Sequence, residues 1–161
     1  MTLEQKRELA LLYWRQGYER QMACEVDEAI DLYRKSIAVL PTAEAHTFLG
    51  WAYSFQGRLE EAIAECRTAI EIDPEYGNPY NDIGVYLMDQ DRLEEAVPYL
   101  ERAMRARRYE CPFFPHFNLG RIYEKKGHWL KAMGEYREAL RLNPGYELAA
   151  QALHRLQAML N

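Results

Sequence analysis

What the chain lacks narrows its chemistry before any pattern is read. Its three cysteines, Cys24, Cys66 and Cys111, are odd in number, widely separated and without a CxxC pair, which points away from a disulfide framework and from a thiolate zinc site. They are expected to act as small hydrophobes. Long apolar runs are also missing: residues 9–14 are too few for a signal sequence or a membrane span, and the start of the chain is charged. A cytoplasmic protein with no membrane partner is therefore expected. Seven Pro and nine Gly are too few for a low-complexity linker, and the glycines fall at regular intervals. With 48% hydrophobic and 28% charged residues, the 161-residue chain fits one compact unit with no visible domain boundary.

The motifs of common enzyme classes are absent too. There is no HExxH or HxxxH for a metal, no GxGxxG or GxxxxGK[ST] for a phosphate and no GxSxG for a nucleophile. Cys111 and His116 lie close in sequence, but no oxyanion motif accompanies them. The chain is read as a non-enzyme requiring no cofactor and no metal.

Charge is unevenly spread. Residues 1–96 carry 9 Lys+Arg against 19 Asp+Glu, whereas residues 97–161 carry 11 against 6. An acidic front and a basic back offer an electrostatic handle for a partner or for head-to-tail self-association, although solvated helix faces produce the same pattern. The basic stretch, from Arg102, Arg105, Arg107 and Arg108 to Arg121, Lys125, Lys126 and Lys131, has Phe113, Phe114 and Phe117 nearby. The acidic first half and a pI of about 5.5 oppose phosphate approach, so nucleic acid is not expected as a partner.

What is present is a repeat. Gly17, Gly50, Gly84 and Gly120 recur at intervals of 33, 34 and 36 residues, and Ala29, Ala62, Ala96 and Ala132 keep the same intervals. Ser36, Ala69, Ala103 and Ala139 form a third small-residue ladder, and Pro41, Pro74 and Pro144 close three of four units. Gly inside a helix costs about 1 kcal/mol relative to Ala, so a fixed ladder of them implies close backbone approach. Turn signals at Gly57 and Gly127 split each unit into two helices, and Asp91 with Glu94 is expected to form a capping box. Glu60-Glu61 and Glu94-Glu95 recur at second-helix starts, where carboxylates favour the helix dipole. His46 and His116 share the register of Tyr13 and Tyr80, which makes them packing residues rather than ligands.

This pattern, clearest in Leu49-Gly50-Trp51-Ala52-Tyr53 with Gly57, Ala62, Ala69 and Pro74, resembles the tetratricopeptide repeat. The resemblance implies an all-α, right-handed superhelical solenoid of antiparallel helix-turn-helix units. The units are placed at about 10–42, 43–76, 77–112 and 113–146, with a capping helix at about 147–160. It also implies a concave face lined by the first helix of each unit. Carried over position by position, that face takes Leu11, Trp14, Tyr18 and Met22, then Glu44, Thr47, Trp51 and Phe55. Unit three adds Asn78, Asn81, Val85 and Met88, and unit four adds Phe114, Phe117, Arg121 and Lys125.

The face is unusually aromatic, which marks a binding surface for an apolar or aromatic protein segment, with Asn78 and Asn81 placed to hydrogen-bond an extended backbone. Packing of the same rings between units is the competing expectation. The family's clamp for a chaperone C-terminal carboxylate finds no cation here: its positions hold Trp14, Tyr18, Phe48, Asn78 and Asp82. The expected role is a scaffold or adaptor for a protein or peptide partner. The alternative is a self-assembling or structural subunit that uses its two unlike halves.

Overall fold

The structure, a computed structural model, describes residues 1–161 and contains nine α-helices. Four antiparallel hairpins follow one another: α1 (Leu3–Met22) with α2 (Val26–Val39), α3 (Ala43–Phe55) with α4 (Leu59–Ile72), α5 (Asn78–Asp89) with α6 (Leu93–Met104), and α7 (Phe113–Lys125) with α8 (Trp129–Leu142). The single helix α9 (Glu147–Leu160) packs on α8. Each hairpin touches only its neighbours, as expected of an all-α solenoid.

The small-residue ladders explain how the hairpins close. A Cβ on Gly17 would lie 2.7 Å from Cε1 of Tyr33, and one on Gly120 would lie 2.5 Å from Cε1 of Tyr136. Each tyrosine is fully buried and uses the space that the glycine leaves in the facing helix. Ala29, Ala62, Ala96 and Ala132 are likewise fully buried. One core runs from Ala29 of α2 to Ile122 of α7, and a smaller one joins Ala132, Met133 and Tyr136 of α8 to Ala152 and Leu156 of α9.

The turn inside each hairpin needs a left-handed residue. Cys24 (φ 63), Gly57 (φ 73), Asp91 (φ 58) and Gly127 (φ 74) occupy that position and keep the intervals 33, 34 and 36. Asp91 therefore does not form the expected capping box. The N-cap of α6 is Arg92, which makes no side-chain cap hydrogen bond. The Thr2 hydroxyl accepts from Gln5 N–H while the Gln5 side chain accepts from Thr2 N–H, and α1 starts at Leu3, ahead of the span of about 10–42 given to the first unit.

At the junction after α6, Arg108 stands where other units have Pro. Its backbone pairs with the 75–77 segment, and its side chain reaches back to Asp73 (2.7 Å) and Glu44 (2.8 Å) with the guanidinium 4.2 Å from the Tyr76 ring centroid. The irregular junction is thereby stapled to the second unit. Arg102 also lies against Glu75, at 3.5 Å, so part of the basic stretch is neutralised within the chain. No helix is long and apolar enough to cross a membrane.

Candidate protein-binding groove

The first helices bring their aromatic residues together in two separate groups. In the first, Trp14 stacks with Tyr18 at 6.1 Å between centroids and meets Phe48 edge-on at 5.0 Å. Phe48 continues to Trp51 (5.8 Å), and Trp51 to Phe55 (5.4 Å). Trp14, Tyr18, Trp51 and Phe55 thus form one ladder across α1 and α3, mostly in edge-on geometries that suit the ring quadrupole. Both ends are open, with Tyr18 40% and Phe55 61% exposed. Phe48, which stands at one of the clamp positions and not among the groove residues carried over from the family, is the central rung. Its signal in the sequence is a position one helical turn before Trp51 and Ala52 on an otherwise aromatic helix.

The second group gathers on one half-buried ring. Phe114 and Phe117 of α7 join Phe113, and all three rings lie within 5.0–5.6 Å of Tyr146, which comes from the segment before α9. Tyr146 stands two residues after Pro144, as Tyr76 stands two after Pro74, outside the first helices to which the register assigns the concave face.

Between the groups, α5 departs most from expectation. Met88 is only 2% exposed and belongs to the core, so it is not a groove residue. Asn81 is 7% exposed, and its Oδ1 accepts from Nδ2 of Asn118 at 3.0 Å, so it does not offer its amide to a peptide backbone. Both side chains are engaged beyond their own hairpin, Met88 in the core that runs through the stack and Asn81 with α7. Val85 is half-buried against the same core. Asn78, half-buried, lines a cavity of about 350 Å³ with Trp14, Phe48, Tyr76 and Arg108. The indole N–H of Trp14 is buried without a protein acceptor. Arg121 is half-buried and donates to Oδ1 of Asn118 at 3.2 Å.

Several polar pairs were not readable in advance. His46 and His116 pack as expected, but Nδ1 of each also meets a second-helix carboxylate, Glu65 at 2.6 Å and Glu135 at 2.7 Å. The two pairs are equivalent in units two and four and pin the hairpin. His116 is thus engaged with Glu135, and burial raises the Cys111 thiol pKa above its ordinary value. Asp82 has no basic partner: burial pushes its carboxyl up to about 7, opposed only by the neighbouring Asn81 side chain. No group of three or more His, Cys, Asp or Glu side chains is arranged to hold a metal.

Known proteins share this architecture. An uncharacterized protein of Haemophilus influenzae is 28% identical over 102 residues, which cover 63% of this chain and 54% of that protein. The small glutamine-rich tetratricopeptide repeat-containing protein 2 of Mycosarcoma maydis is 28% identical over 90 residues, 55% of this chain and 26% of that protein. The chain therefore spans about half of one relative and about a quarter of the other. Among solved structures, PilF of Pseudomonas aeruginosa superposes with a TM-score of 0.89 at 24% identity over 96% of this chain and 70% of its own. YrrB, described as a protein with an unusual peptide-binding site, does so with a TM-score of 0.67 at 22% identity over 98% and 80%. These likenesses establish the fold. Models of the tetratricopeptide repeat match residues 43–76, 80–108 and 113–146, more than half of the chain. With its ladders, hairpins and stacked first helices, the chain belongs to the tetratricopeptide repeat family, whose repeats are protein–protein interaction scaffolds.

Proposed function

We propose that the open aromatic ladder of α1 and α3 receives an apolar or aromatic segment of a partner protein, and that the chain acts as a cytoplasmic adaptor. The observation that carries this reading is the pair of exposed ends, Tyr18 and Phe55, on an otherwise connected row of rings. Large rings half out of water are a costly surface unless something covers them. Asn78 lies beside the ladder as a polar handle for a peptide backbone. YrrB, with its unusual peptide-binding site, has the same fold and supports a groove of this kind.

The test is selection of a displayed peptide library on the full chain. Enriched peptides should be rich in aromatic and branched residues, and Tyr18→Ser with Phe55→Ser should weaken their binding at least about tenfold with an unchanged circular dichroism spectrum. Equal binding by the double variant removes the ladder from the account.

A second reading rests on charge: an acidic front and a basic back permit head-to-tail association of copies. Exposed Leu3, Leu11 and Leu12 on α1, and Leu148, Met159 and Leu160 on α9, place apolar surface on both terminal helices. Sedimentation at low and high salt tests it, since a monomer at both ionic strengths contradicts it.

A further inference from the structure

The far end of the solenoid holds a different kind of surface. Adjacent first helices touch one another along the array, α1 with α3, α3 with α5 and α5 with α7. The final helix does not continue the series: α9 packs mainly on α8 and leaves a cleft of about 600 Å³ along α7. Its apolar walls are Phe117 of α7, Trp129 of α8, and Leu148 and Met159 of α9, the last two each 54% exposed.

The charges at the cleft do not cancel. Its one carboxylate, Glu124, already accepts from the Tyr136 hydroxyl at 2.6 Å and is paired with Arg155. Burial works against ionisation of Glu124, but Tyr136 and Arg155 outweigh it and hold the carboxyl below its usual range. Arg121 and Lys125, one helical turn apart, are left without a carboxylate partner. Arg121 is also held in place: Asn118, itself buried and bonded to Asn81, accepts one of its N–H groups, and the guanidinium lies 6.0 Å from the Phe117 ring centroid. A guanidinium has five donors in a rigid fork that fits a carboxylate, and fixing it in advance reduces the ordering needed on binding.

We infer that the cleft between α7 and α9 binds an acidic, apolar segment of a partner protein, with a side-chain carboxylate on Arg121 and Lys125 and an adjacent large apolar side chain against Leu148 and Met159. This rests on the reading of the concave face as a peptide groove and adds a charge requirement to it. The site differs from a clamp between consecutive repeats because the capping helix supplies one wall.

The test is peptide selection on the full chain and, in parallel, on Arg121→Gln/Lys125→Gln. The wild-type consensus should place Asp or Glu within two positions of a large apolar residue, and the acidic preference should vanish on the variant. Replacing that acid by its amide in a selected peptide should weaken binding to wild type about tenfold and leave binding to the variant unchanged. Leu148→Ser, on exposed surface, should weaken the same peptide without altering stability. A consensus without acidic residues, or one identical on the variant, overturns this inference and leaves the aromatic ladder standing. Selection of no peptide at all overturns both. Should Arg121→Gln disturb the Asn81–Asn118 pair and the circular dichroism spectrum, Lys125→Gln alone still decides: a selected acidic peptide must distinguish it from wild type.

Discussion

The two aromatic groups sit on first helices of the same repeat and are arranged differently. In α1 and α3 the rings make a row with both ends in water; in α7 the half-buried rings of Phe113, Phe114 and Phe117 converge on Tyr146. The difference comes from the next element of the chain in each case. Beyond unit one, another helix pair supplies Phe48, which fills the gap yet carries the row onward through Trp51. Beyond unit four only one helix remains, and the connecting segment brings a tyrosine against the rings. The same residue types therefore form a row with two exposed ends in one hairpin and a cluster gathered on Tyr146 in the other.

The largest effect separating the two groups should come from truncating a ring in each. Tyr146→Ala should lower unfolding stability by about 2–3 kcal/mol in urea titrations, whereas Phe55→Ala should change it by no more than about 0.5 kcal/mol. Similar losses from both would erase the contrast between gathered and open rings.

Asp82 lies between the groups and gives the next effect, through pH. Its folded pKa of about 7 is above the ordinary 3.8, so in the folded state the proton is retained longer than in the unfolded chain. Stability is then unaffected below pH 4, falls as pH rises from about 4 to 7, and stays lowered above that. Burial raises the pKa of the nearby Tyr76, Tyr86, Tyr109 and Cys66, so they remain neutral throughout this window. Asp82→Asn should stabilise the protein by about 2 kcal/mol at pH 8 and have almost no effect at pH 4, as read by chemical denaturation at the two pH values.

The hairpin turns should show the smallest difference. Unit one has Cys24 where unit four has Gly127, both left-handed. Cys24→Gly should stabilise by about 1 kcal/mol and Gly127→Ala destabilise by about the same, measured as opposite shifts of the urea midpoint. Shifts of the same sign would contradict a shared turn geometry.

How much of this was legible in the residues depends on the range of the interactions involved. The Gly and Ala ladders report contacts within one hairpin, and the hairpins appear where those ladders place them because a missing Cβ has an immediate steric consequence, as at Gly120 against Tyr136. Trp14, Tyr18, Trp51 and Phe55 were readable as rings of two neighbouring first helices, and the structure joins them in one row through Phe48. Met88 and Asn81 were not: Met88 joins a core that runs through several hairpins and Asn81 bonds to Asn118 of the next first helix, contacts that a single unit does not contain. Arg108 reaches Glu44 across 64 positions, a span that is no multiple of the repeat. Tyr146 meets its rings from a connecting segment, where the register assigns no face. Asp91 reads as a helix cap because Asp serves both caps and left-handed turns, and only the alignment with Gly57 and Gly127 distinguishes them.

The central claim is that the row from Trp14 to Phe55 is covered by a partner segment, and the indole N–H resonances test it most directly. In a ¹⁵N-labelled chain titrated with a selected aromatic peptide, the resonances of Trp14 and Trp51 should shift to saturation together, and Tyr18→Ser/Phe55→Ser should suppress both shifts. Saturating peptide that leaves the Trp14 and Trp51 resonances where they were would contradict the account.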